Sequence, residues 1–111
     1  ANLLAIITND GWWGNTSGHK QHLQYAALRA IETRTWVARS ANTGISAVID
    51  PLGNIVAQKG WDERAVIKYS IPTKSTLTFY AKHGDWLYQI FSIFAVLLLL
   101  QGLYKRFKKN P

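Results

Sequence analysis

The chain has 111 residues, enough for about one domain, and contains no cysteine. That excludes disulfides, thiolate metal sites and a cysteine nucleophile within these residues. Thirteen Lys and Arg stand against six Asp and Glu, but four of the positive charges, Lys105, Arg106, Lys108 and Lys109, fall in the last seven residues; the rest is mildly basic and argues against nucleic acid as a partner.

Ala1-Asn2-Leu3-Leu4 opens directly into strand-like sequence, without an initiator Met or a signal peptide. The chain is therefore expected to be a piece of a longer protein. Residues 3–8 form a continuous apolar run, which predicts a strand buried on both faces. A loop over residues 9–18 follows. Asn9 and Asp10 are short polar residues suited to fixing a turn, and Gly11 and Gly14 permit backbone angles that other residues resist. Trp12 and Trp13 between those glycines are costly to expose unless they pack or bind something. They either plug the adjacent core or line a ligand site, since ligands of open α/β sheets sit outside the carboxyl ends of strands.

A helix is expected over residues 19–34, capped by Ser17, with Thr16 or Asn15 as substitutes. Leu23, Ala27, Ala30, Ile31 and Arg34 share one face at helical spacing, and the alanines suit close approach to a sheet. His19 and His22 lie three apart, but a third ligand and the H-E-x-x-H pattern are missing, which argues against a metal. His19, beside the tryptophan loop, is either a substrate contact or simply exposed. Glu32, a single carboxylate on a helix, is expected to be solvated or paired rather than a general base.

Strands are expected at 36–40, 45–50, 55–58 and 65–70. The turn at 41–44 involves Asn42, and the tight turn at 51–54 carries Pro and Gly where β-turns use them. Arg39 inside a strand either meets an anionic head group or pairs with Asp10 or Glu32, and an isolated Arg in a sheet favours the carboxylate. Neither a nucleophile elbow nor a phosphate loop is present. Residues 72–85 read as an irregular connection.

Residues 86–104, WLYQIFSIFAVLLLLQGLY, contain no charge. At about 1.5 Å per residue they reach roughly 28 Å, the span of a bilayer core. Trp86, Tyr88 and Tyr104 sit near the ends, where such rings favour the interface. The basic residues that follow predict that this end is cytoplasmic and that the α/β part lies on the opposite side, the periplasm in a double-membrane bacterium and the outer face otherwise.

The wording of several segments goes further. Asn9-Asp10-Gly11-Trp12-Trp13-Gly14, His22-Leu23 with Ala26, Arg29-Ala30-Ile31-Glu32, the run from Arg39 to Pro51, and Tyr80-Ala81-Lys82-His83-Gly84-Asp85-Trp86 together resemble the carboxy-terminal part of the apolipoprotein N-acyltransferase family. This is the membrane-embedded branch of the nitrilase (carbon–nitrogen hydrolase) superfamily.

The resemblance implies an α/β fold class: the C-terminal part of a four-layer αββα nitrilase-type sandwich, followed by one transmembrane helix. Residues 1–71 would belong to the hydrolase domain, 72–85 to the connection, 86–104 to the span and 105–111 to a basic cytoplasmic tail. It also implies location in the inner membrane, a phospholipid acyl donor, a diacylglyceryl lipoprotein acceptor and no cofactor. The family's chemistry uses Glu, Lys and a Cys thioester, none of which matches a position here, so this chain alone is expected to be inactive. Trp12 matches a tryptophan that the family uses near its active site. Trp12, Trp13, Asn9, Asp10 and Gly14 are the expected substrate-binding residues, with Trp12 lining the pocket and Trp13 contacting membrane or core. Two other readings are a membrane-tethered amidase of the same superfamily and a non-catalytic single-pass binding domain.

Overall fold

A computed structural model describes residues 1–73 and 76–109. Lys74 and Ser75 of the expected 72–85 connection, and Asn110 and Pro111 of the expected tail, lie outside the described residues. Strand β1 (Leu3–Thr8) runs through a 3-10 turn (Gly11–Trp13) into helix α1 (Ser17–Thr33). Strands β2 (Trp36–Ala41), β3 (Ser46–Ile49) and β4 (Ile55–Lys59) follow, then the short helix α2 (Phe79–His83) and the long helix α3 (Trp86–Lys109).

The four strands form one sheet in the order β1-β2-β3-β4. β1 and β2 pair in parallel, with Leu3 opposite Trp36 and Thr8 opposite Ala41. This pairing requires a crossover, which α1 supplies. The remaining pairs are antiparallel. The β3–β4 hairpin closes through Asp50, whose carboxylate accepts from the Leu52 and Asn54 amides at 2.8 and 2.9 Å. Gly53 there takes φ +87°, which glycine permits without strain.

Helix α1 starts with Thr16 as its cap, its hydroxyl accepting from the Gly18 amide, so Thr16 does the work expected of Ser17. The helix ends at Arg34 in the left-handed conformation, φ 51°. Its buried face is His19, Leu23, Ala26 and Ala30, at spacings of four, three and four. This stripe is rotated from the expected one, because Ala26 and Ala30 let the helix approach the sheet closely and leave Ile31 39% exposed. Leu23, Ala26 and Ala30 pack on Val37, Ala47 and Ile49, with Leu4 and Ile6 at the margin.

Three expectations need correction. β1 is not buried on both faces: its burial alternates, and Ile7 is 90% exposed. The apolar run has helix cover on only one side among the described residues. Residues 65–70 form no strand. They lie over the sheet's other face, where Ala65 and Ile67 line a cavity of about 320 Å³ with Ala5, Ile7 and Ala38, and Tyr69 meets Trp36 at 5.9 Å between ring centroids. Ala65, Ile67 and Tyr69 thus lie on a face of the sheet rather than extend its edge. The connection before α3 is not wholly irregular, since Thr78 caps α2 by accepting from the Ala81 amide at 3.0 Å.

α3 runs without interruption through the basic residues to Lys109. It holds a stretch long and apolar enough to cross a membrane, Trp86–Lys108, with a mean hydropathy of 1.8 in its most apolar window and none of that window buried against the rest of the protein.

Candidate functional site

The parallel strands β1 and β2 end side by side, and their following loops meet there. The Asn42 amide donates to the Thr8 carbonyl at 3.0 Å, tying the second loop to the first. Asn9 folds back so that its side-chain oxygen accepts from the Gly11 amide at 3.2 Å, the local turn expected of Asn. Gly14 closes the 3-10 turn at φ 56°, ψ −167°, a region essentially confined to glycine.

Asp10 is the centre of this cluster, and its side chain is completely buried. Its Oδ2 accepts from Arg39 Nη2 on β2, and its Oδ1 accepts from the Thr8 hydroxyl at 3.0 Å. His22 Nδ1, one turn into α1, lies 2.8 Å from the same Oδ1. An ionised carboxylate only accepts, so His22 Nδ1 carries the proton and donates. Arg39 Nη2 also lies 3.4 Å from that nitrogen, a contact between two donors and not a bond. Arg39 Nε donates to the Ile45 carbonyl at 3.2 Å.

Burial would push the Asp10 carboxyl up, but hydrogen bonds from His22 and Thr8 and the Arg39 charge outweigh it and hold it below its ordinary value. The pairing of Arg39 with Asp10 is one of the two partners expected from sequence. Glu32, the other, pairs instead with Arg29 on the surface, as a lone helical carboxylate does.

Glycine sets the packing around this carboxylate. A Cβ on Gly44 would stand 2.6 Å from Asp10 Cβ, and one on Gly11 2.8 Å from Thr43 Oγ1. Neither neighbour is the loose end of a flexible chain, so both loops are locked together. The Thr43 carbonyl accepts from the Asp62 amide at 2.7 Å, with Asp62 at φ 53°, a left-handed position that Asp tolerates better than most residues. That contact brings Trp61 over His19, ring centroids 4.5 Å apart.

The two tryptophans part company. Trp13 lies on the start of α1: a Cβ on Gly18 would come within 2.8 Å of its Cγ, and its ring meets His22 edge-on at 5.1 Å. Trp12 points away and is 84% exposed. Asn9, Asp10, Trp12, Trp13 and Gly14 therefore do lie together at one strand end, with Trp12 as the outward side chain.

Sequence reasoning left His19 as an exposed residue or a substrate contact. It is buried, 1% accessible, and its Nδ1 and Thr43 Oγ1 are buried polar atoms without a partner among the described residues. It also missed that His22 belongs to Asp10. The available signal was position: His22 shares its helix face with Ala26 and Arg29, one turn beyond the loop. The cluster thus joins a fixed imidazole and a charge pair, and the loop that carries it also carries an exposed indole. Such an arrangement can orient a loop and present an aromatic surface, but the chain brings no thiol to it.

Comparison with known proteins identifies what the chain is similar to. Residues 1–79 match the carbon-nitrogen hydrolase family model. The chain is 45% identical over 98 residues, 88% of its length, to an apolipoprotein N-acyltransferase of Bradyrhizobium diazoefficiens. It is 42% identical over 111 residues, 99% of its length, to one of Rhizobium meliloti, and 37% identical over 107 residues, 96% of its length, to one of Chlorobaculum tepidum. It spans only 18%, 20% and 20% of these relatives, about a fifth of each. The match over residues 1–79 covers all four strands, the crossover helix and the strand-end cluster, and on that ground the chain belongs to the carbon-nitrogen hydrolase family.

Proposed function

We propose that this chain is part of an apolipoprotein N-acyltransferase. The complete enzyme moves an acyl chain from a phospholipid, through a cysteine thioester, to the N-terminal diacylglyceryl-cysteine of a lipoprotein. The observation that carries this reading is similarity sustained over nearly the whole chain to relatives of that name, including the segment that forms α3. Residues 1–71 are its share of the hydrolase domain, 72–85 the connection, 86–104 the span and 105–111 the tail. The α/β part lies on the periplasmic side of the inner membrane and the C-terminus in the cytoplasm, in keeping with the basic end of α3.

The nucleophile, base and oxyanion-stabilising Lys belong to the complete enzyme and not to this chain, which has no cysteine and is inactive by itself. Its contribution is the loop. Trp12 offers an apolar face to the acyl chain or the lipoprotein terminus, Trp13 seats the loop on α1, and Asn9, Asp10 and Gly14 set its shape. Such a surface acts by positioning the acyl group for transfer. The span keeps it at the bilayer, where both substrates are anchored.

In the complete enzyme, Trp12→Ala is expected to lower transfer of a labelled phospholipid acyl chain to a lipopeptide at least tenfold while the melting temperature stays put. Unchanged transfer removes Trp12 from the site.

A further inference from the structure

Helix α2 is five residues long and exposed along its whole length, yet it carries Phe79 and Tyr80, with Leu77 just ahead at 82% exposure. No apolar surface of the described residues buries them. Gly84, at φ 68° and ψ −156°, breaks the chain direction, so α2 does not simply continue into α3. A rigid aromatic corner bridges the break instead. Phe79 stacks on His83 at 4.2 Å and meets Trp86 edge-on at 5.7 Å between centroids, while His83 Nδ1 lies 3.1 Å from the Phe79 carbonyl oxygen, to which it donates. At the other end, the Thr78 hydroxyl donates to the Glu32 carbonyl near the end of α1. The corner is therefore fastened both to the membrane helix and to the helix whose first turns hold His19 and His22.

We propose that α2 is an interfacial foot: Phe79, Tyr80 and Trp86 lie in the head-group layer, and Lys82 with His83 faces lipid phosphates. This rests on α3 spanning the bilayer. Given that, distance leaves little choice. Trp86 is the first residue of the helix, at the depth where indole rings settle, and Phe79 and His83 stand within one or two ring widths of it. The composition fits the same layer, with aromatic rings toward hydrocarbon and the Lys82 ammonium able to reach phosphate on its flexible stem. Asp85 is the one acidic residue in the corner; its carboxylate lies 3.3 Å from the Tyr88 amide at the start of α3, from which it accepts, so it serves the helix end. Through the Thr78 hydroxyl and the Glu32 carbonyl the foot is tied to the end of α1.

The test is photocrosslinking in cells with p-benzoylphenylalanine placed at Tyr80 of the complete protein, and separately at Phe94 and Val96 on opposing sides of α3. Phospholipid adducts at Tyr80 and at Phe94 or Val96 are expected. Lipid adducts from α3 with only intraprotein crosslinks from Tyr80 overturn the foot and leave the span standing: another part of the protein covers α2. Lipid adducts from none of the three overturn both.

Discussion

The cluster at the ends of β1 and β2 buries charge, whereas α3 exposes hydrocarbon. In the cluster, a fully buried carboxylate is met by an arginine, an imidazole and a hydroxyl, and Gly44 leaves room for it. Along α3, Leu97 to Leu100 stand between 53% and 68% exposed. In water, each arrangement alone would be unfavourable. The first is stable because every charge has its partner, which an unpaired buried ion lacks. The second is stable when its solvent is lipid, where the helix satisfies its own backbone. One chain thus carries two kinds of order, one made by pairing and one by the choice of medium.

The contrast can be broken from the cluster side first. Asp10→Ala leaves Arg39 buried without its counter-charge and is expected to cost about 3–5 kcal/mol, measured by denaturant unfolding of the complete protein. The same group gives a pH dependence. Its folded pKa lies below the ordinary value of 3.8, so its contribution is complete above that value and is lost as pH falls through the folded one. Asp50 shifts in the same direction, so the Asp10 share is the difference between the acid limbs of the parent protein and Asp10→Asn. Identical limbs would show that the carboxylate is not paired in the folded state.

From the other side, Leu98→Arg puts a charge in the middle of α3. Insertion is expected to lose about 2.5–3.5 kcal/mol, read as the fraction of a tagged span that integrates. Unchanged integration would mean that α3 lies elsewhere than across a bilayer. Gly44→Ala is expected to cost about 1–3 kcal/mol by overpacking, because the new methyl meets the Asp10 side chain and must push two loops apart; a neutral melt would show that the loops are not locked. The smallest stability effect belongs to Trp12→Ala, within about 0.5 kcal/mol as for other exposed positions, which is what makes its transfer assay informative.

Local chemistry settled a good deal of this protein in advance. An uncharged run from Trp86 to Tyr104 can form only one kind of long element, and the Asp50 to Asn54 turn carries its own geometry in Pro, Gly and two side-chain oxygens. The glycines flanking the paired tryptophans act within a few residues, so they too are legible along the chain, whereas the cap expected at Ser17 falls on its neighbour Thr16. Helix α1 was visible by period, but its buried stripe was not, because Ala26 rather than Ile31 faces a sheet whose distance only packing fixes.

Long-range partners were decided by the fold. His22 reaches Asp10 across twelve residues and Arg39 across twenty-nine, and nothing local requires either. The same holds for His19 beneath Trp61, and for residues 65–70, whose apolar residues suit a sheet edge as well as a sheet face. Trp12 and Trp13 share their neighbours in sequence, so local chemistry does not separate them; only the family resemblance implies different roles for the two, and the structure leaves Trp12 84% and Trp13 44% exposed. Gly18 leaves space against the start of α1 for the Trp13 ring.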